Sequence, residues 1–219
     1  MKKNKIKSFD FIKSICAIGI IIFHFSCHVS NRDFLPFYSF ANGQWGGVFV
    51  AIFFMVSGGL LYHNYSKKIS VPNYYIKRFK SIYPMFYIAY IIFEIRNMII
   101  KNSIFYRKNP IFYFFTILGI DGYLSSFIPT NYVLGEWFLG MIIILYILFP
   151  LILYLFKKND KLTFITALVL YIIFLDKPII NPIPYQSITS SLISFVTGMM
   201  LIKYKNILSN KISLNISII

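Results

Sequence analysis

His24 stands eleven residues after Lys13 and fourteen after Asp10, in a run from Phe9 to Val29 that is otherwise mostly Phe, Ile, Ala and Gly. On a helix, at about 100° per residue, Lys13 and His24 fall within about 20° of each other, and Asp10 within about 40° of His24. Those three side chains, with His28 beyond them, make a polar stripe on an apolar helix. Charged groups inside a span are costly and mark function. An imidazole titrates near neutral pH and can take a proton from an attacking hydroxyl, while a neighbouring carboxylate or cation sets its pKa. A plainer reading makes Asp10 and Lys13 interfacial anchors and His24 an interhelical hydrogen-bonder. From these residues alone both readings stand.

Two further groups carry polar chemistry. Ser57 lies in Val50–Leu61 beside Gly58 and Gly59. The glycines suit close backbone packing, and packing is the preferred reading over donation from Ser57 to a substrate oxygen. Lys77, Arg78 and Lys80 cluster in Tyr75–Pro84, just ahead of the expected start of a helix. Cations beside helix N-terminal amides suit phosphate, although composition alone favours simple anchoring at the cytoplasmic face.

The elements that hold these residues follow from composition. The chain is 58% hydrophobic and 13% charged over 219 residues, against about 45–50% apolar and about 25% charged in a soluble domain. That excludes disorder, a disulfide scaffold and almost any soluble enzyme. A span needs about 20 apolar residues, so the expected fold is all-α, a polytopic transmembrane helix bundle of about six to eight spans. The runs are Phe9–Val29, Gly46–Tyr62, Ser81–Ile95 (extending toward Ile100), Ile111–Phe127, Leu134–Phe156, Leu162–Leu175 and Ser187–Tyr204. Pro84, Pro150, Pro178, Pro182 and Pro184 mark kinks or span ends.

The net charge of +15 gathers in short clusters between runs, which points to cytoplasmic loops rather than nucleic acid. The N-terminus is expected inside, with the first run retained rather than cleaved as a signal peptide. Ile111–Phe127 is broken by Gly119, Asp121 and Gly122, and its topology stays open between a full crossing and a re-entrant or interfacial segment. Cys16 and Cys27, about 16 Å apart on one helix, cannot pair and are expected to be buried small residues. The Asn-x-Ser sequences at Asn64 and Asn215 carry no weight.

Taken together, the segments resemble the acyltransferase 3 family of membrane acyltransferases over about residues 8–205, within a single domain of residues 1–219. Phe9–His24 resembles its opening Asp-x-x-Arg/Lys segment followed by histidine. Val50–Leu61 resembles its Phe-Phe-x-x-Ser-Gly span, and Lys77–Pro84 its basic segment ending in Tyr-Pro. Trp137-Phe-Leu with Tyr146 and Pro150 resembles its Trp-x-Leu…Tyr…Pro helix, and Phe195–Tyr204, with Gly198, a later span. The resemblance implies transfer of an acyl group, often acetyl from acetyl-CoA, to a hydroxyl of a cell-surface, lipid-linked or exported glycan at a bacterial cell membrane. Acyl-CoA is then a co-substrate, with no bound cofactor or metal and no nucleic-acid partner. His24 becomes the catalytic base or acyl relay, and Lys13 and Asp10 its orienting partners. Arg78, helped by Lys77 and Lys80, becomes the site for acyl-CoA, and Ser57, Trp137 and Glu136 become substrate-binding residues.

This sequence departs from the family pattern in three places. Lys13 stands where many members carry Arg, which keeps the charge and loses the planar fork. Ser81 replaces a frequent second Arg. The chain also holds fewer spans than the family's roughly ten, at about 20 residues each, so a partner chain supplying further helices is one expectation. Two alternatives to an enzyme are an inactive or truncated membrane subunit of a glycan export or modification assembly, and a small transporter. A transporter predicts inverted repeats, and the sequence shows none.

Overall fold

The computed structural model describes residues 7–28, 44–102, 109–130, 137–177, 183 and 186–207. Among these residues every regular element is helical. The helices are α1 (Lys7–His28), α2 (Gly46–Tyr65), α3 (Val71–Lys101), α4 (Tyr113–Leu118, entered through a 3-10 turn at Pro110–Phe112), α5 (Asp121–Leu124), α6 (Trp137–Lys158), α7 (Asp160–Ile173) and α8 (Ile188–Lys203).

Three helical stretches are long and apolar enough to cross a membrane: Ser8–Cys27, Gly46–Tyr65 and Trp137–Lys158. The expected six to eight spans are therefore met in kind, but among the described residues only these three meet the length and composition of a span. The shortfall has physical reasons. α3 has 31 residues but carries Lys77, Arg78, Lys80, Glu94 and Arg96 along its length. α7 and α8, with 14 and 16 residues, reach about 21 and 24 Å, short of the roughly 30 Å of hydrocarbon. Ile111–Phe127 does not form one continuous helix. Gly119 adopts φ +69°, a left-handed conformation that ends α4 and that glycine takes without penalty.

The chain divides into two compact units. The first comprises Met1–Lys67, Phe156–Val169 and Ser190–Ile219, and the second Lys68–Leu155 and Leu170–Thr189.

In the first unit α1 packs on α2 through Gly19, which sits against the Phe49 ring, and through Phe23, which covers Gly46. α2 crosses α8 backbone to backbone. Gly58 lies on the carbonyl of Phe195, Gly198 on the carbonyl of Met55, and a methyl at Gly59 would stand 3.0 Å from the Gly198 oxygen. The close approach expected of Gly58 and Gly59 is present. At the start of α7 the Asp160 carboxylate accepts from Tyr204 Oη at 2.6 Å and pairs with Lys203 Nζ at 2.9 Å. Burial alone would raise this carboxyl's pKa, but the bonds from Tyr204 and Lys203 outweigh it and hold the pKa below its ordinary value.

In the second unit tyrosines of α3 satisfy carbonyls that the broken segment leaves open. Tyr83 Oη donates to the Leu118 oxygen at 2.8 Å and Tyr87 Oη to the Ile117 oxygen at 2.7 Å. These are among the last carbonyls of α4, which have no partner inside the helix. Asp121, fully buried, accepts from Thr116 Oγ1 at 2.8 Å and from the Gly122 amide at 3.0 Å. A buried carboxylate held by donors on both oxygens ties α4 to α5 across the glycine break.

Candidate functional site

α1 is one unbroken helix of 22 residues, so Asp10, Lys13 and His24 share a face as the spacing predicts. The packing face of α1 is a different one. Cys16, Gly19 and Ser26 are buried and Phe23 half-buried, and their mean direction lies about 130° around the helix from the stripe. His24 is exposed, with its ring edge-on to Phe23 at 5.5 Å, while Asp10 and Lys13 are half-buried. The imidazole is thus left uncovered by the described residues, on a face it shares with the exposed Ile21 and Phe25.

The helix also sets a distance. Lys13 and His24 are separated by about 16 Å along the axis, beyond any hydrogen bond. Neither Lys13 nor Asp10 reaches the imidazole directly, and both lie in the N-terminal part of α1. Cys16 is buried as expected, whereas Cys27, in the last turn of α1, is exposed.

The basic cluster is placed differently from the sequence expectation. Ser70 precedes α3 and Pro72 occupies its first turn, so Lys77, Arg78 and Lys80 lie inside the helix rather than ahead of it. Their amides are engaged within the helix, and the expected pairing of cations with free N-terminal amides does not occur. The three side chains also diverge. Lys77 and Lys80 are exposed, within about 60° of each other on the helix, while Arg78 is about 100° from Lys77 and 160° from Lys80.

Arg78 turns into a pocket of about 170 Å³ between α3 and α6, lined by Tyr75, Phe79, Ile82, Tyr83, Ile143, Tyr146 and Ile147 besides itself. Its guanidinium carbon stands 6.0 Å from the Tyr74 ring centroid and 5.5 Å from that of Tyr146. Among the described residues no hydrogen bond or ion pair reaches the guanidinium, and its Nε is buried without a partner. Two tyrosine hydroxyls brace the pocket. Tyr74 Oη donates to the Tyr146 carbonyl at 2.9 Å and Tyr75 Oη to the Ile147 carbonyl at 2.8 Å. Pro150 lies inside α6 and has no N–H, so the Tyr146 carbonyl four residues earlier loses its helical donor. Tyr74, fully buried, replaces it.

The remaining predicted residues are dispersed. Ser57 is half-buried in α2 next to the glycine crossing. Trp137 opens α6, half-buried and edge-on to Phe138 at 6.4 Å. Glu136 lies outside the described residues. By unit, Asp10, Lys13, His24 and Ser57 fall in the first, and Lys77, Arg78, Lys80 and Trp137 in the second.

A family model described as an acyltransferase domain covers residues 6–219. No curated protein and no solved structure matches the chain.

Proposed function

We propose that this chain, which belongs to the acyltransferase 3 family, moves an acyl group, acetyl in the simplest case, from acyl-CoA to a hydroxyl of a cell-surface or exported glycan. The observation that carries this reading is the unbroken helix Lys7–His28, which holds His24 and the Lys13 charge on one face. His24 takes the proton of the acceptor hydroxyl. The hydroxyl oxygen attacks the thioester carbonyl, the C–O bond forms, the C–S bond breaks, and the proton passes from the imidazolium to the departing CoA thiolate.

The donor is anionic, so it needs cations near water. The exposed Lys77 and Lys80 on a common face of α3 supply them as point charges. Ser57 and Trp137 remain proposed contacts to substrate. In this reading the chain is a multi-pass protein of a bacterial cell membrane with its N-terminus in the cytoplasm.

The test is the His24→Ala chain expressed in cells lacking the wild-type gene, with mass spectrometry of their surface glycans. Loss of an acyl-sized mass that the wild-type gene restores supports the transferase. The exposure of His24 favours one second reading, a non-catalytic membrane subunit of a glycan export or modification assembly. That reading predicts unchanged acylation in the His24→Ala cells.

A further inference from the structure

Five helix ends gather at one end of the first unit. A methyl at Gly59 of α2 would meet both Phe9 of α1 and Ile202 of α8. Tyr62 of α2 lies edge-on to Phe156, in the last turn of α6, at 5.2 Å, and Lys203 Nζ of α8 stands 5.6 Å from the same ring. α7 joins through Asp160, which Tyr204 and Lys203 hold. The lysines of these ends are therefore neighbours. Lys67 follows α2, Lys157 and Lys158 close α6, Lys161 lies in the first turn of α7, Lys205 follows α8, and all are exposed. The carboxylates among the described residues of this end are Asp10, half-buried, and Asp160, already engaged. The rim is strongly positive.

The α6–α7 corner gives this charge a fixed arrangement. Asn159 alone separates the two helices. Its Oδ1 accepts from the Leu162 amide at 2.9 Å and its carbonyl from Thr163 Oγ1 at 2.8 Å, which caps α7. Asp160 beside it is tied to α8. Lys157, Lys158 and Lys161 fall within five residues, so their Cα atoms lie within about 14 Å of one another and their long side chains reach a single headgroup. The span Trp137–Lys158 ends at this corner, which puts the lysines at the edge of the hydrocarbon rather than inside it. Immediately beyond them α7 turns apolar side chains outward. Leu162 is 59% exposed, Ile165 52% and Val169 46%, and the three lie within about 60° of one another on the helix.

We infer that the α6–α7 corner binds an anionic phospholipid, with its headgroup phosphate among Lys157, Lys158 and Lys161 and one acyl chain along Leu162, Ile165 and Val169. A soluble anion would use the lysines and leave the apolar face idle. A zwitterionic lipid would use the face and draw little from three cations. Orientation in the membrane needs only the number of charges on one side, whereas this corner also fixes their positions. The inference goes beyond acyl transfer and does not depend on it.

The test uses the full chain in neutral detergent, with native mass spectrometry and thermal unfolding as readouts. Phosphatidylglycerol is expected to stay bound and to raise the melting temperature. Phosphatidylcholine with the same chains, at equal concentration, is expected to do neither. Replacing Lys157, Lys158 and Lys161 together with Gln is expected to weaken phosphatidylglycerol binding by about tenfold or more, as loss of three cations at an anionic headgroup requires. Lys77→Gln with Lys80→Gln, which removes charge elsewhere, is expected to leave it nearly unchanged. The corner lysines are exposed, so their loss leaves the fold intact. Lys161→Glu alone serves as a second variant, with binding weakened several-fold. Equal retention of phosphatidylcholine would reduce the corner to an apolar ledge, and displacement of phosphatidylglycerol by inorganic phosphate or acetyl-CoA would make it a soluble-anion site. An equal loss in the Lys77 and Lys80 variant would reduce the effect to net charge. Each of these results overturns the inference, as does phosphatidylglycerol binding unchanged in both corner variants.

Discussion

Tyr74 Oη donates to the carbonyl oxygen of Tyr146 at 2.9 Å, the acceptor that Pro150 deprives of its helical donor. In an apolar surround an open carbonyl is expensive. A residue in the fourth position of α3 therefore repairs a break in α6 and, in doing so, fixes one end of the Arg78 pocket.

Tyr74→Phe should destabilise the chain by about 1–3 kcal/mol, the penalty for a buried polar group left without a partner. Pro150→Ala returns a backbone N–H to the same carbonyl. In that background Tyr74→Phe should cost clearly less, and a double-mutant cycle from unfolding in detergent measures the difference. Equal cost in both backgrounds would mean that the hydroxyl does not serve this carbonyl.

The glycine crossing makes a steric prediction. A methyl at Gly58 would overlap the Phe195 carbonyl, and one at Gly198 the Met55 carbonyl. Backbone cannot swing aside as a side chain can. Gly58→Ala and Gly198→Ala should each lower stability by about 1–3 kcal/mol or more. Gly59→Ala, whose methyl would lie 3.0 Å from the Gly198 oxygen, should be milder. Thermal unfolding of the three variants ranks them.

The Asp160 latch predicts a pH response. Its pKa is lowered in the folded chain, because the bonds from Tyr204 and Lys203 overcome the opposing effect of burial. A lowered carboxyl stabilises fully above its unfolded pKa, about 3.9, and that contribution is lost as pH falls through the folded value. The melting temperature of wild type should exceed that of Asp160→Asn near neutral pH, and the gap should close under acid. A gap that persists unchanged in acid would assign the stabilisation to packing instead.

Local periodicity carried part of this structure into the sequence. The cofacial placement of Asp10, Lys13 and His24 needs only a continuous helix, and α1 is one. The close glycine packing at Gly58 and Gly59, and the break near Gly119 and Asp121, were legible for the same reason: small residues and a buried charge are conspicuous in apolar runs. α3 starts ten residues before the apolar run at Ser81, and its signal is in the sequence, since Ser70 followed by Pro72 is a helix-start pattern. That single shift turned an N-terminal phosphate site into three side chains pointing different ways. The Arg78 pocket was not legible at all. It depends on which face of α3 meets α6, and on Tyr74 and Tyr75 reaching carbonyls some 72 positions away in sequence.

The donor role proposed for Lys77 and Lys80 gives a kinetic prediction. Replacing Lys77 and Lys80 together with Ala should raise the apparent KM for acetyl-CoA several-fold and leave that for the glycan nearly unchanged, since exposed point charges act on binding of the anion. Steady-state rates in proteoliposomes at varied donor and acceptor check it. A change confined to the glycan KM would move the donor elsewhere.

The central claim is that His24 performs the proton transfer. Acyl transfer from radiolabelled acetyl-CoA to glycan, catalysed by purified His24→Ala chain in proteoliposomes, tests it most directly. The account predicts a loss of about 10²–10⁴-fold in rate, the usual worth of a positioned general base, with the thermal stability of the variant unchanged. A folded His24→Ala chain that transfers acetyl at the wild-type rate would contradict it.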